Sequence, residues 1–137
     1  MNPDLYSKWT NLVGKALSSY SSLSIDERVW FNVQVLIDSI NNGGLISYYY
    51  NTGADCVYDL IEDLKVINMN IVAEIIIKFN LTLFPNMDVP SDINGRNEII
   101  DNLDEWLNEK IQTLEDKISE KMPELENQLT NFLQTKG

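Results

Sequence analysis

Few residues in this 137-residue chain could do covalent or acid–base chemistry, and their types narrow what that chemistry could be. There is no histidine, and Cys56 is the one cysteine. Zinc, iron and copper centres draw on histidine or on several cysteines, so their usual ligand sets are missing. A serine or cysteine nucleophile activated by histidine is excluded for the same reason. Gly43-Gly44 has neither the spacing of a phosphate-binding loop nor that of a dinucleotide fingerprint. Asp88 to Gly95 has the composition of a calcium loop, but its ligand spacing is wrong and Pro90 falls inside it. Asp55, Asp59, Glu62 and Asp63 could be paired for general acid–base work, yet nothing in the sequence brings them into one pocket. Cys56 reads as a small buried hydrophobe. The chain is therefore read as non-enzymatic, with no metal and no cofactor.

Composition points the same way. Hydrophobic residues make up 44% and charged residues 23%, enough apolar content for one folded domain over residues 1–137. The net charge is −11, from 21 acids and 10 bases. Such a surface is repelled by nucleic-acid phosphates and by anionic lipid, and attracts basic protein surfaces. Net acidity is also a common solubility device. The N-terminus lacks a signal-peptide pattern and no apolar run is long enough for a membrane span, so a cytoplasmic location is expected.

Helical periodicity dominates the chain and predicts an all-α domain of five or six helices with a short central helical turn. Asn2 and Pro3 are suited to begin the first helix, which runs to Tyr20. Ser24 and Glu27 form a capping box for the second, which Asn41 to Gly44 end. Leu45 to Tyr50 is expected to make one or two turns. A third helix is expected from about Ala54 to Val66, and Asn70 can cap the next. Ile71 to Phe84 is rich in β-branched residues, but its spacing over fourteen residues favours a buried helix. Pro85 and Pro90 bracket a loop to about Asn94-Gly95. A fifth helix begins near Asn97, and Pro123 should kink or restart it.

The densest special chemistry lies between the second and third helices. Asn41-Asn42-Gly43-Gly44 breaks the helical pattern, Tyr48, Tyr49 and Tyr50 follow, and Asn51-Thr52-Gly53 breaks it again. Three consecutive tyrosines cannot share one helix face. One or two should be buried with the hydroxyl bonded to a backbone group or side chain. As a structural feature the stretch is core plus turn-formers; as a site it would be a small-molecule pocket around Tyr48, Tyr49 and Asn51.

This stretch resembles the signature of the DMP-type DNA-mimic protein family, a bacterial family whose pattern runs Asn-Gly-Gly-Phe, Gln, two aromatics and Asn-Ser-Gly. Asn42, Gly43, Gly44, Tyr48, Tyr49, Asn51 and Gly53 match. Leu45 replaces the phenylalanine, Ser47 the glutamine and Thr52 the serine. The resemblance covers roughly residues 25–106. It implies an all-helical, acidic, cytoplasmic protein, and in the name-giving member an acidic surface that imitates DNA phosphates on a transcription factor's DNA-binding face. No motif aligns those acidic positions, so they are not carried over to this chain.

Charge patterning gives an independent candidate surface. On a helical wheel for residues 97–121, Glu98, Asp101, Glu105, Glu109, Asp116 and Glu120 fall opposite the apolar face. Asp101–Glu105, Glu105–Glu109 and Asp116–Glu120 would be like-charge pairs four residues apart, each costing about 0.2–0.5 kcal/mol. Lys110, Lys117 and Lys121 lie towards the apolar side and neutralise this line poorly. From Asp88 to Gly137 there are twelve acids and five bases, a balance of −7 that leaves −4 for the first 87 residues.

The expected function is a non-enzymatic acidic binding protein that engages a basic protein surface, with DNA mimicry towards a DNA-binding protein as its sharpest form. Direct nucleic-acid or membrane binding is not expected, and the oligomeric state is left open. Two alternatives stand beside it: an immunity or antitoxin-like protein that neutralises a toxin, and a small-molecule binder at the tyrosine-rich turn.

Overall fold

The computed structural model describes residues 2–136. Every regular element among them is helical: α1 (Pro3–Ser19), α2 (Ile25–Gly43), α3 (Leu45–Tyr49), α4 (Val57–Val66), α5 (Asn70–Leu83), α6 (Ile93–Asp101) and α7 (Asn108–Lys136). Short 3-10 turns lie at Tyr20–Ser22, Thr52–Cys56 and Glu105–Leu107. α2 is central and packs against α1, α3, α4 and α7, while α5 is held between α4 and α7. No helix among the described residues is long and apolar enough to cross a membrane.

The local signals act as expected at several ends. The Asn2 side chain accepts from Leu5 N–H at 2.7 Å. Ser24 and Glu27 form the reciprocal capping box, with Glu27 Oε1 on Ser24 N–H at 2.9 Å and Ser24 Oγ on Glu27 N–H at 3.2 Å. Gly44 closes α2 with φ +83°, and its N–H reaches the Ile40 carbonyl at 2.9 Å. The β-branched stretch is the buried helix α5, where Val72, Ile75, Ile76, Phe79 and Leu83 face the core. Burial on one face of a fourteen-residue segment outweighs local strand propensity.

Seven α-helices among the described residues replace the expected five or six, and the differences have local causes. The third helix does not start at Ala54, because Thr52–Cys56 winds as a 3-10 turn before α4. Asn70 does not cap α5; Met69 occupies the cap without a side-chain bond. Asn68 (φ +61°) ends α4 in the left-handed conformation, and Met69 N–H returns to the Leu64 carbonyl. α6 begins earlier than Asn97, where Asp92 accepts from Asn94 and Gly95 N–H. It also ends at Asp101. The Asn102 side chain donates to the Glu98 carbonyl at 2.7 Å, the acceptor its own N–H would use in a continuing helix. Asp104 then extends the backbone at φ −65°, ψ 139°.

Pro123 neither stops nor restarts α7, which runs through it for 29 residues. Pro123 and Ser119, whose carbonyl loses its partner, both lie on the exposed side, where water can hydrate that carbonyl. Ile118, Met122, Leu125 and Leu129 are buried on the other side. At about 1.5–3 kcal/mol per buried side chain, this face outweighs the roughly 3 kcal/mol an internal proline costs.

Candidate functional site

Tyr48 and Tyr49 make the tyrosine-rich turn a buried knot. Tyr48 and Tyr49 are buried, and Tyr50 is partly exposed. Tyr48 Oη donates to the Gly53 carbonyl at 3.0 Å, and Tyr49 Oη donates to Asn80 Oδ1 on α5. The two rings meet edge to face at 5.3 Å, and Tyr49 stacks on Phe79 at 5.4 Å. Burial raises the pKa of both hydroxyls, so they stay protonated donors. One of the expected partners is thus backbone and the other a side chain, and both are internal. Asn51 Nδ2 donates to the Ser47 carbonyl at 2.8 Å and ties the turn to α3.

The glycines serve close approach as well as turning. Gly44 needs its positive φ, and a Cβ there would collide with the Glu115 carboxylate. A Cβ on Gly53 would come within 2.6 Å of Val35 Cγ1. Asn42 and Gly43 complete the last turn of α2 and are exposed.

Two residues outside the motif hold it in place, and sequence reading missed both. Arg96 on α6 is wholly buried. Its Nε donates to the Tyr49 carbonyl at 3.1 Å and its Nη2 to the Asn51 carbonyl at 2.9 Å. Its Nη1 donates to the Pro90 carbonyl at 2.8 Å and to Asp55 Oδ1 at 2.7 Å. One guanidinium therefore joins α3, the following turn, the proline loop and α6, a task suited to a rigid fork of donors. The available signal was that Arg96 is the sole base between Lys78 and Lys110. Glu115 on α7 accepts from Ile46 N–H at 2.7 Å, capping α3 from 69 residues away. Its signal was an acid placed among Ile111, Leu114 and Ile118 on the core-facing side of a helix.

The four carboxylates considered for acid–base work do not form one group. Asp55 belongs to Arg96, and Glu62 sits 3.3 Å from Lys65. Asp59 and Asp63 do converge. Asp63 Oδ1 accepts from Arg28 at 2.8 Å and Oδ2 from Asn32 at 2.9 Å. Asp59 accepts from Tyr20 Oη at 2.8 Å. Burial raises the Asp63 pKa while Arg28 and Asn32 oppose the rise. This network anchors α2 to α4. Cys56 is half-buried, and burial pushes its thiol up, away from thiolate reactivity.

The acidic stripe is divided by the break after α6. Glu98 and Asp101 lie on α6, Glu105 in the 3-10 turn, and Glu109, Asp116 and Glu120 on α7. Asp101–Glu105 and Glu105–Glu109 are therefore not pairs along one α-helix, whereas Asp116–Glu120 is. All six are exposed. Residues 88–109 carry seven exposed carboxylates: Asp88, Asp92, Glu98, Asp101, Asp104, Glu105 and Glu109. The one cation in that segment, Arg96, points inward. Trp106, in the same segment, is 74% exposed, and its Nε1 donates to Asp104 Oδ2 at 3.2 Å. Tyr50 Oη donates to Asp101 Oδ1 at 2.7 Å, so the motif turn and the acidic face touch. Burial, then Asp101, push the Tyr50 hydroxyl up to about 12.

Comparison with curated proteins gives no match, and comparison with solved structures gives none. A family model does match, that of the DMP19-like proteins, over residues 21–136. It spans both the buried knot and the acidic face, and the chain belongs to the DMP19-like protein family.

Proposed function

We propose that this protein is a non-enzymatic binding protein whose acidic face occupies the basic, DNA-binding surface of another protein. The observation that carries this reading is the surface of residues 88–109, seven exposed carboxylates without an exposed cation. Carboxylates spread over two helix ends and a 3-10 turn present negative charge in several directions, as a phosphate backbone does. Trp106, exposed in the same segment, adds a large apolar ring of the kind that anchors protein interfaces. Family membership supports the same reading.

The test has two stages. The immobilised chain is used to capture proteins from a native cell extract, and a captured protein is then offered duplex DNA in competition. The expected result is a basic DNA-binding protein that releases DNA as the chain is added, with an association rate that falls steeply as salt rises. Capture that is insensitive to salt, or a partner that holds DNA and the chain together, overturns the mimic. A captured toxin would do the same and move the role to immunity.

A further inference from the structure

The cleft between α5 and α7 has the opposite charge from the rest of the molecule. It encloses about 360 Å³ and is lined by Lys78 and Leu81 of α5 and by Lys110, Thr113, Leu114 and Lys117 of α7. No carboxylate lines it. None of the three lysines makes an ion pair or side-chain hydrogen bond with a described residue. Lys15 and Lys65, by contrast, lie 2.9 and 3.3 Å from carboxylates of their own. In a chain of net charge −11 with ten bases, three unpaired ammonium groups are gathered around one apolar cleft.

The floor sets the shape of the occupant. Leu114 is buried, Leu81 is 61% exposed, and Ile77, one turn before Leu81, is 38% exposed. Thr113 Oγ1 is turned to the Glu109 carbonyl at 2.9 Å and so donates nothing to the cleft. Lys110 and Lys117 are seven residues apart on one helix, two turns or about 10.5 Å. The result is an apolar strip with ammonium groups along its edge at helical pitch.

We propose that this cleft docks an acidic amphipathic helix of another protein. Carboxylates at positions i and i+7 of such a helix repeat the Lys110–Lys117 spacing. Apolar residues at i+3 and i+4 lie between them and cover Leu81 and Leu114. A small anion would leave Leu81 bare. An extended polyanion such as nucleic acid or an anionic membrane meets the repulsive field of the whole chain, which a short helix with few charges largely escapes.

The probe is a short fluorescein-labelled helical peptide with glutamates at i and i+7 and leucines at i+3 and i+4. A scrambled peptide of the same composition is its control, and anisotropy at low and physiological salt is the readout. The intact chain should bind the ordered peptide at least about tenfold more tightly than the scrambled one. The triple variant Lys78→Gln, Lys110→Gln, Lys117→Gln should lose about tenfold, and Leu81→Ser should weaken binding on its own. The triple variant Lys8→Gln, Lys15→Gln, Lys65→Gln makes the same change in net charge elsewhere and should bind as the parent does. Circular dichroism confirms that each variant folds. Equal binding of both peptides, equal weakening by the two triple variants, displacement by free glutarate, or no binding by the parent chain each overturn the proposal.

Discussion

The motif turn and the acidic face meet at the Tyr50–Asp101 hydrogen bond and differ in almost everything else. In the turn, polar groups face inward: both buried tyrosine hydroxyls and the carbonyls of Tyr49, Asn51 and Gly53 have protein partners. On the face, all seven carboxylates are exposed, with Asp92, Asp101 and Asp104 also accepting hydrogen bonds from neighbouring protein groups. A polar group with an internal partner specifies geometry, and a charged group left to water keeps its capacity for an outside partner. The tyrosine-rich turn therefore builds a platform, and the binding proposed for this chain rests on residues outside it.

That contrast can be broken from either side, and the largest effects belong to the turn. Arg96→Met removes a buried fork that joins four segments and takes its hydrogen bonds from the Tyr49, Asn51 and Pro90 carbonyls. A loss of about 3–5 kcal/mol is expected, read as a lower denaturation midpoint at unchanged slope. A variant as stable as the parent would mean that the turn holds itself. Gly44→Val should cost more than about 1 kcal/mol, because the residue has φ +83° and a side chain there meets Glu115. The same change at Gly43 has no backbone strain to add and meets only Ser47. Similar melting temperatures for the two valine variants would remove this distinction. Tyr49→Phe keeps the ring stacked on Phe79 but leaves Asn80 Oδ1 without its donor, for about 1–3 kcal/mol by thermal or chemical unfolding.

On the acidic face the expectation reverses. Asp101→Asn, Glu105→Gln and Glu109→Gln together should change stability by no more than about 0.5 kcal/mol, since all three sites are exposed. Association with the captured basic partner should slow, most strongly at low salt. Equal association rates at both salt concentrations would leave the face as a solubility device. The smallest effect concerns Glu27, whose pKa is lowered by the Ser24 backbone N–H and then by Lys15. A carboxylate held below its unfolded value contributes stability that is present above the unfolded pKa. That contribution is lost as pH falls through the folded pKa. Glu27→Gln should therefore flatten the acid limb of the stability curve slightly, and an unchanged limb would show that the cap is fully screened.

Within the sequence lay much of what depends on neighbours a turn or two away. Asn2, the Ser24–Glu27 box and Gly44 set helix ends through bonds spanning three or four residues, and the 3.6-residue period of α5 identified a helix despite its isoleucines. That one or two tyrosines are buried followed from the impossibility of three sharing a face, and the packed molecule buries Tyr48 and Tyr49. Tertiary structure decided the rest, because the deciding partners are far away in the chain. Arg96 meets Tyr49 across 47 residues and Glu115 meets Ile46 across 69, and no local pattern encodes such a pairing. The long-range core likewise carried α7 through Pro123, where local rules predicted a kink or a restart. The split of the acidic line was within reach of local chemistry at Asn102, but periodicity averages over a single side chain that takes a carbonyl from its helix. Which charges face inward and which face water is a property of the packed molecule, and it separates Arg96 from the seven carboxylates around it.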